Sequence, residues 1–321
     1  MIEAIRQTLS AEMHRDPKVL LMGEDVGKLG GVFRATQGLQ AEFGEDRVID
    51  MPLAEGVIIG SALGLALSGL RPVAELQFLG FGAQAFHQMS QQVARYRYRS
   101  QGRFSVPMTI RAPFGGLAKT PEMHADALEA LYTHTPGLQV VLPATASDAK
   151  GLLTMAIRSD NPVLFLEPIR GYRLIKDDVP NNDFEIPFGK LRVHREGEHV
   201  TIIAWSASVH TANLAAEELA LKGISAEVLD LRSLVPLDVE GITKSVIKTG
   251  RCVVVHEAPL TSGFGGEIAA TVQEEAFFSL QAPILRVAAP DTPYPVAAIE
   301  HFYVPSVQRV CAAVEKVIEM S

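Results

Sequence analysis

Strand-like and helix-like segments alternate along nearly the whole of this 321-residue chain, and that alternation restricts the fold more than any single motif does. KVLLMGED (18–25), RVIDMP (47–52), RPVAELQF (71–78), VPMTIRAPFGG (106–116), LQVVLPA (138–144) and PVLFLEP (162–168) read as strands. Between them, AQAFHQMSQQVARYRYRS (83–100), DALEALYTH (126–134) and SDAKGLLTMAIRSD (147–160) carry helical patterns. Asp126, with Glu129 three residues on, has the spacing of a capping box and predicts a helix start there. The stretch from Ile175 to Gly189 (IKDDVPNNDFEIPFG) is polar, contains prolines and lacks either period, so it reads as a linker. The pattern resumes with HVTIIAWS, SAEVLDLRS, RCVVVHEAP and PILRVAAP as strands, and with helices at 210–223, 266–280 and 306–320. Strands alternating with helices predict α/β architecture: two doubly wound domains, 1–180 and 181–321, each with a mainly parallel sheet covered on both faces.

Composition narrows the function classes. Charged residues make up 21% and hydrophobic residues 47%, which excludes a disordered chain. A net charge of -8 argues against nucleic-acid binding, which needs clustered Lys and Arg, and suits a partner with a basic surface. RYRYRS (95–100) therefore reads as an ion-paired helix end rather than a basic patch. Cys252 and Cys311 follow no metal or redox spacing and read as buried thiols. The first 17 residues lack a signal-peptide pattern, and the apolar run after Glu55 is too short to span a bilayer. The expectation is no membrane and a cytoplasmic location, or an organelle matrix if a presequence is removed.

In an open parallel sheet, ligands gather beyond the carboxyl ends of the strands. Three loops fall there, carrying Glu55; Gln77, Phe78 and Phe81; and His124. Each admits a structural reading. Glu55 suits the start of a helix dipole, and the phenylalanines suit a core. His124, just before the expected helix, is equally a neutral imidazole for chemistry or a structural hydrogen-bonder. Small residues at Gly56, Gly60, Gly64 and Ser68 suit close packing, within the chain or across a subunit boundary. Walker A, GxGxxG, GxSxG and HExxH sequences are absent, and SGFGGE (262–267) matches no phosphate fingerprint.

Taken in order, GEDVGKLGGVFRATQGL, PLAEGVIIGSALGLALSGLRPVAELQF, RYRS, HADALEALYTHTPGLQVVLPATASDAKGLL, NPVLFLEP, SAEVLDLRSLVPLD, KTGRCVVVHEAP and APDTPYP resemble the beta subunits of the decarboxylase component of 2-oxo acid dehydrogenases, which use thiamine diphosphate. The resemblance implies a transketolase-like pyrimidine-binding domain followed by a transketolase C-terminal-type domain. It implies that Glu55 hydrogen-bonds a ring nitrogen of the aminopyrimidine, favouring its imino tautomer, and that Phe81 packs on that ring with Gln77 and Leu53 nearby. His124 matches the histidine that assists acyl transfer to the lipoyl group of a dihydrolipoyl acyltransferase. Main-chain positions of a potassium site match Met108, Ala156, Ile157, Ser159 and Asn161. His124-Ala125-Asp126 replaces the His-Ser-Gln of many members, Met51 replaces a common Thr, and Ser159 a usual Asp.

The Gly-Asp-Gly that anchors magnesium and diphosphate in such enzymes is missing. The resemblance places it on an alpha subunit, and so implies two alpha and two beta chains with a beta–beta contact. It also implies docking to the lipoyl and subunit-binding domains of the acyltransferase. PEMHADALEAL and RVAAPDTPYP lean towards pyruvate oxidation, whereas KSVIKTGRCVVVHEAPLTSGF looks equally like branched-chain members; acetoin is a further substrate of the group. A self-sufficient transketolase-like protein is opposed by the missing diphosphate motif, and a non-catalytic scaffold by the presence of Glu55 and His124.

Overall fold

A computed structural model describes residues 1–320. Two compact units divide the chain: residues 1–114 with 131–187, and residues 115–130 with 188–321. In the first unit the strands are β1 (Val19–Gly23), β2 (Val48–Asp50), β3 (Arg71–Glu75), β4 (Thr109–Phe114), β5 (Gln139–Val141) and β6 (Val163–Pro168). They lie side by side in the order β5-β6-β4-β3-β1-β2, and every pairing is parallel. All residues of β1, β4 and β6 are buried, as a parallel sheet covered on both faces requires. Helix Ala146–Arg158 starts where Thr145 Oγ1 accepts from the Asp148 amide.

The second unit contains β7 (Arg192–Arg195), β8 (Val200–Ala204), β9 (Ala226–Asp230), β10 (Ser233–Val235), β11 (Cys252–Pro259) and β12 (Leu285–Ala289). One sheet has the order β12-β11-β8-β9-β7, parallel except for β7 against β9. Helices Ser208–Ala220, Gly265–Ala276 and Val307–Glu319 fall where the sequence pattern expects them. Helix Val239–Thr249 was not expected; Asp238 caps its start and Gly250, at φ 70°, ends it. Both cysteines are free and buried. Among the described residues, no helix is long and apolar enough to cross a membrane.

Three local expectations fail. The helix predicted over 83–100 is instead a 3-10 turn (Leu79–Ala85), a π segment (Gln88–Val93) and one short α-turn (Tyr96–Arg99). Close approach explains part of this, since a Cβ at Gly82 would lie 2.5 Å from the Tyr132 hydroxyl. Arg97 and Arg99 bond to Asn161, Gln91 and Gln92, not to carboxylates, so RYRYRS is held by amides rather than ion pairs. The capping box at Asp126 does not form. The helix begins only at Glu129 and lasts five residues, and the Glu129 carboxylate accepts from Trp205 Nε1 at 3.1 Å instead.

Candidate active site

Glu55 opens helix Glu55–Leu67, and no side chain caps that end. The carboxylate thus lies at the positive end of the helix dipole. It is 4% exposed, yet its Oε2 is fully enclosed with no hydrogen-bond partner in the chain. Leaving a buried acceptor unsatisfied costs about 1–3 kcal/mol, more for a charged group, so the position asks for a donor that the chain does not supply. The helix packs on the irregular segments 79–85 and 88–93. Gly56 permits the close approach, since a Cβ there would lie 3.4 Å from the Gln84 carbonyl oxygen and 3.5 Å from Gln88 Nε2. The enclosed Gln88 Oε1 is likewise unpartnered. Glu24, just after β1, feels the same centre: partial burial pushes its carboxyl up, and the charges of Asp25 and Glu55 add to the effect.

Gln77 is half-buried just past β3, and Phe81 follows it on the 3-10 turn. The Phe81 ring meets Phe78 edge-on at 5.5 Å, Phe78 meets Phe33 at 5.6 Å, and Phe33 meets Tyr172 at 5.1 Å. Tyr172 donates to Glu167, which Arg111 grips with Nε and Nη2 at 2.6 and 2.9 Å while its Nη1 holds Glu75 at 2.6 Å. An aromatic ladder thus connects Phe81 to a fully buried ion network on β3, β4 and β6. That network was not read from the sequence. Its signal is present, since three charged residues stand inside apolar strand runs. Leu53 precedes the helix and is 71% exposed.

His124 lies in the second unit, whereas Glu55, Gln77 and Phe81 lie in the first. Its ring is half-exposed, with Nδ1 2.9 Å from the Glu122 carbonyl oxygen. A carbonyl only accepts, so Nδ1 donates its hydrogen there. The next helix starts only five residues after His124 and lasts little over one turn.

The five main-chain positions matched to potassium are already engaged in part. Met108 O accepts from Val163 N, Ala156 O from Ser159 N, and the oxygens of Ile157 and Ser159 from Arg71 Nη1 at 3.3 and 3.0 Å. The Arg71 guanidinium places a positive charge among these oxygens, so the donor set fits a further cation poorly.

Sequence reasoning also missed a buried group in the second unit. Trp205 stacks on His256, with centroids 5.2 Å apart and planes 7° from parallel. Burial pushes the His256 ring down to about 4, with Arg286 adding to the effect. Two glycines of SGFGGE leave room for this ring. A Cβ at Gly263 would come within 2.7 Å of it and one at Gly265 within 2.5 Å.

Comparison with known proteins places these features. Residues 1–173 match the family described as transketolase, pyrimidine binding domain, and residues 189–310 match transketolase, C-terminal domain. The chain is 51% identical over 319 residues to the pyruvate dehydrogenase E1 component subunit beta of Bacillus subtilis (strain 168), covering 99% of this chain and 98% of that one. With the same-named protein of Staphylococcus epidermidis (strain RP62A) the identity is 50% over 306 residues, 95% and 94% of the two chains. The chain belongs to the family of pyruvate dehydrogenase E1 beta subunits. Among solved structures, a split gene transketolase described as an inactive beta4 tetramer matches with TM-score 0.81 and 27% identity, over 99% of this chain and 97% of that one. The E1 beta family and the transketolase-like α/β fold implied by the sequence both hold. Glu55, Gln77 and Phe81 fall within the pyrimidine-binding match, and so does His124 in sequence, although its segment clusters with the second unit.

Proposed function

We propose that this chain is the beta half of a thiamine-diphosphate-dependent decarboxylase that oxidises pyruvate and passes the acetyl group to the lipoyl arm of an acyltransferase. One observation carries the reading. Glu55 presents a buried, unpartnered carboxylate oxygen at a helix start just beyond the carboxyl end of β2. That is the acceptor a cofactor's aminopyrimidine would satisfy. Thiamine diphosphate, when bound, supplies the electron sink for breaking the carbon–carbon bond. Overall, pyruvate, a proton and the lipoyl disulfide give carbon dioxide and a dihydrolipoyl group with one sulfur acetylated and the other a thiol.

The chain's own groups have separate tasks. Glu55 fixes the protonation of the aminopyrimidine by hydrogen-bonding its ring nitrogen. Phe81, supported by the aromatic ladder, gives a rigid face for that ring, while Gln77 and Leu53 line its edge. His124 Nε2 moves a proton at the lipoyl sulfur during acyl transfer. Magnesium and the diphosphate fall to an alpha subunit, since the anchoring motif is missing here. We assign no step to potassium, because the Arg71 guanidinium already donates to the Ile157 and Ser159 oxygens. The acidic total suits docking of a basic subunit-binding domain of the acyltransferase. The small-residue face of helix Glu55–Leu67 suits a subunit contact in a tetramer of two alpha and two beta chains.

Glu55→Gln in the assembled alpha–beta complex tests the reading. Decarboxylation of pyruvate should fall by on the order of 10²-fold or more, as loss of an acid–base group does. Near-normal turnover would sink the catalytic role and favour a scaffold. Parallel assays on 2-oxoisovalerate and acetoin test the substrate, because the pyruvate assignment requires that pyruvate have the highest kcat/KM.

A further inference from the structure

The segment 115–130 clusters with the second unit, away from the sequence neighbours on both sides of it. Its attachment is specific. Gly116 N donates to Glu257 Oε2 at 2.8 Å, Leu117 N to the Tyr294 hydroxyl at 3.1 Å, and Lys119 N to Glu300 Oε2 at 3.3 Å. The Tyr294 hydroxyl in turn donates to Glu300 Oε2 at 2.7 Å, so one phenol accepts from the segment and passes its own hydrogen to the second carboxylate. These partners lie 141 to 181 residues away in sequence. Glu257, Tyr294 and Glu300 are all buried.

The backbone is shaped to reach them. Gly115 has φ 89°, and Leu117, Lys119 and Met123 are left-handed without being glycine. At Gly116 a Cβ would lie 2.6 Å from the Tyr294 hydroxyl. Further along, Ala125 enters an apolar cluster with Ala289, Tyr294, Tyr303 and Val304. The far end is tied by Glu129 to Trp205. His124 sits between the two ties in sequence, with its ring Nδ1 turned to the Glu122 carbonyl.

We infer that Tyr294 and Glu300 are positioning residues for His124, the second unit holding the histidine's segment in register through a phenol–carboxylate anchor. This rests on the reading of His124 as the acyl-transfer group. The phenol–carboxylate anchor fixes two amides, those of Leu117 and Lys119, five to seven residues before the imidazole.

Tyr294→Phe keeps the ring in its apolar cluster and removes both hydrogen bonds. Glu300→Gln is the conservative second variant. In the assembled alpha–beta complex, reductive acetylation of an isolated lipoyl domain should slow about tenfold in both variants. Decarboxylation coupled to an artificial electron acceptor, which bypasses the lipoyl group, should stay within about twofold. Hydrogen exchange at the amides of Leu117 and Lys119 should accelerate by at least tenfold, with Gly116, held by Glu257, as the unchanged control, which reads the anchor without any assay of activity. Unchanged acetylation in both variants, or a parallel fall of the two half-reactions, overturns the inference. His124→Ala separates the two ideas. If it leaves acetylation intact, the reading of His124 fails and the inference falls with it. If it blocks acetylation while the anchor variants do not, only the anchor is wrong.

Discussion

Glu129 has the local sequence of a capping residue, yet it is fully buried, with one carboxylate oxygen on the Trp205 indole and the other enclosed without a partner. Burial pushes its carboxyl up from 4.5 to about 7, against the lowering by Trp205 and the backbone, and Glu257 adds to the rise. A folded-state value above the unfolded one means that the native protein holds this proton more tightly. Its contribution is therefore complete below pH 4.5 and is lost as the pH climbs through about 7. The interval corresponds to roughly 3 kcal/mol. His256, two rings away across Trp205, works in the opposite direction. Its value is lowered from 6.5 to about 4, so its neutral ring costs nothing above pH 6.5 and penalises the native state as the pH falls towards 4. Between about pH 4.5 and 6.5 the two slopes oppose each other. Replacing Glu129 with Gln keeps an acceptor for the indole and removes one slope. Denaturant titrations of the assembled complex should show the variant gaining on the wild type as the pH rises from 5 to 8. The variant itself should lose stability on acidification below pH 6.5. A constant difference between the two proteins across that range would count against a titrating Glu129.

Elements with strong local signals were legible in the sequence. The apolar runs that became β1, β3, β4, β6, β8, β9 and β11 were found because strands buried at nearly every residue leave no alternation to misread. Helix Val239–Thr249 was overlooked because Gly241 and the β-branched Ile242, Thr243 and Val246 weaken its propensity, and only Asp238 and Gly250 mark its ends. The antiparallel β7 is half-exposed and polar, so it lacks the run that announced the others. On helix Glu55–Leu67 the small-residue series divides by environment. Gly56 faces Gln84 and Gln88, whereas nothing within 4 Å would meet a Cβ at Gly64. Within this chain, Gly64→Ala should therefore stabilise the helix by about 1 kcal/mol, the difference in propensity. If that face packs against another subunit, the added methyl weakens the assembly instead. Sedimentation of the alpha–beta complex reads the two effects apart: a stabilised chain with a weakened tetramer supports the subunit contact, and an unchanged tetramer removes it.

At the scale of the whole molecule, local pattern could not show that residues 115–130 cluster with the second unit, since their ties run to Glu257, Tyr294 and Glu300. The candidate residues were legible because they stand in short stretches just after apolar strand runs. Their distribution was not, because it depends on contacts between residues more than a hundred positions apart. In the proposed function Glu55, Gln77 and Phe81 supply an acceptor and an aromatic face for a pyrimidine, while the sequence contains no Gly-Asp-Gly to hold the diphosphate. A chain equipped for only one end of its cofactor should be inert alone. Supplied with thiamine diphosphate, magnesium and pyruvate, this chain by itself should release no carbon dioxide above the rate of free cofactor. Stoichiometric addition of its alpha subunit should restore turnover, with activity saturating at one alpha per beta chain. Isothermal titration of thiamine diphosphate should show the same dependence, with tight binding only in the mixed complex. Turnover or tight binding by the isolated chain would mean that it holds the diphosphate itself, and the half-site assignment would have to be abandoned.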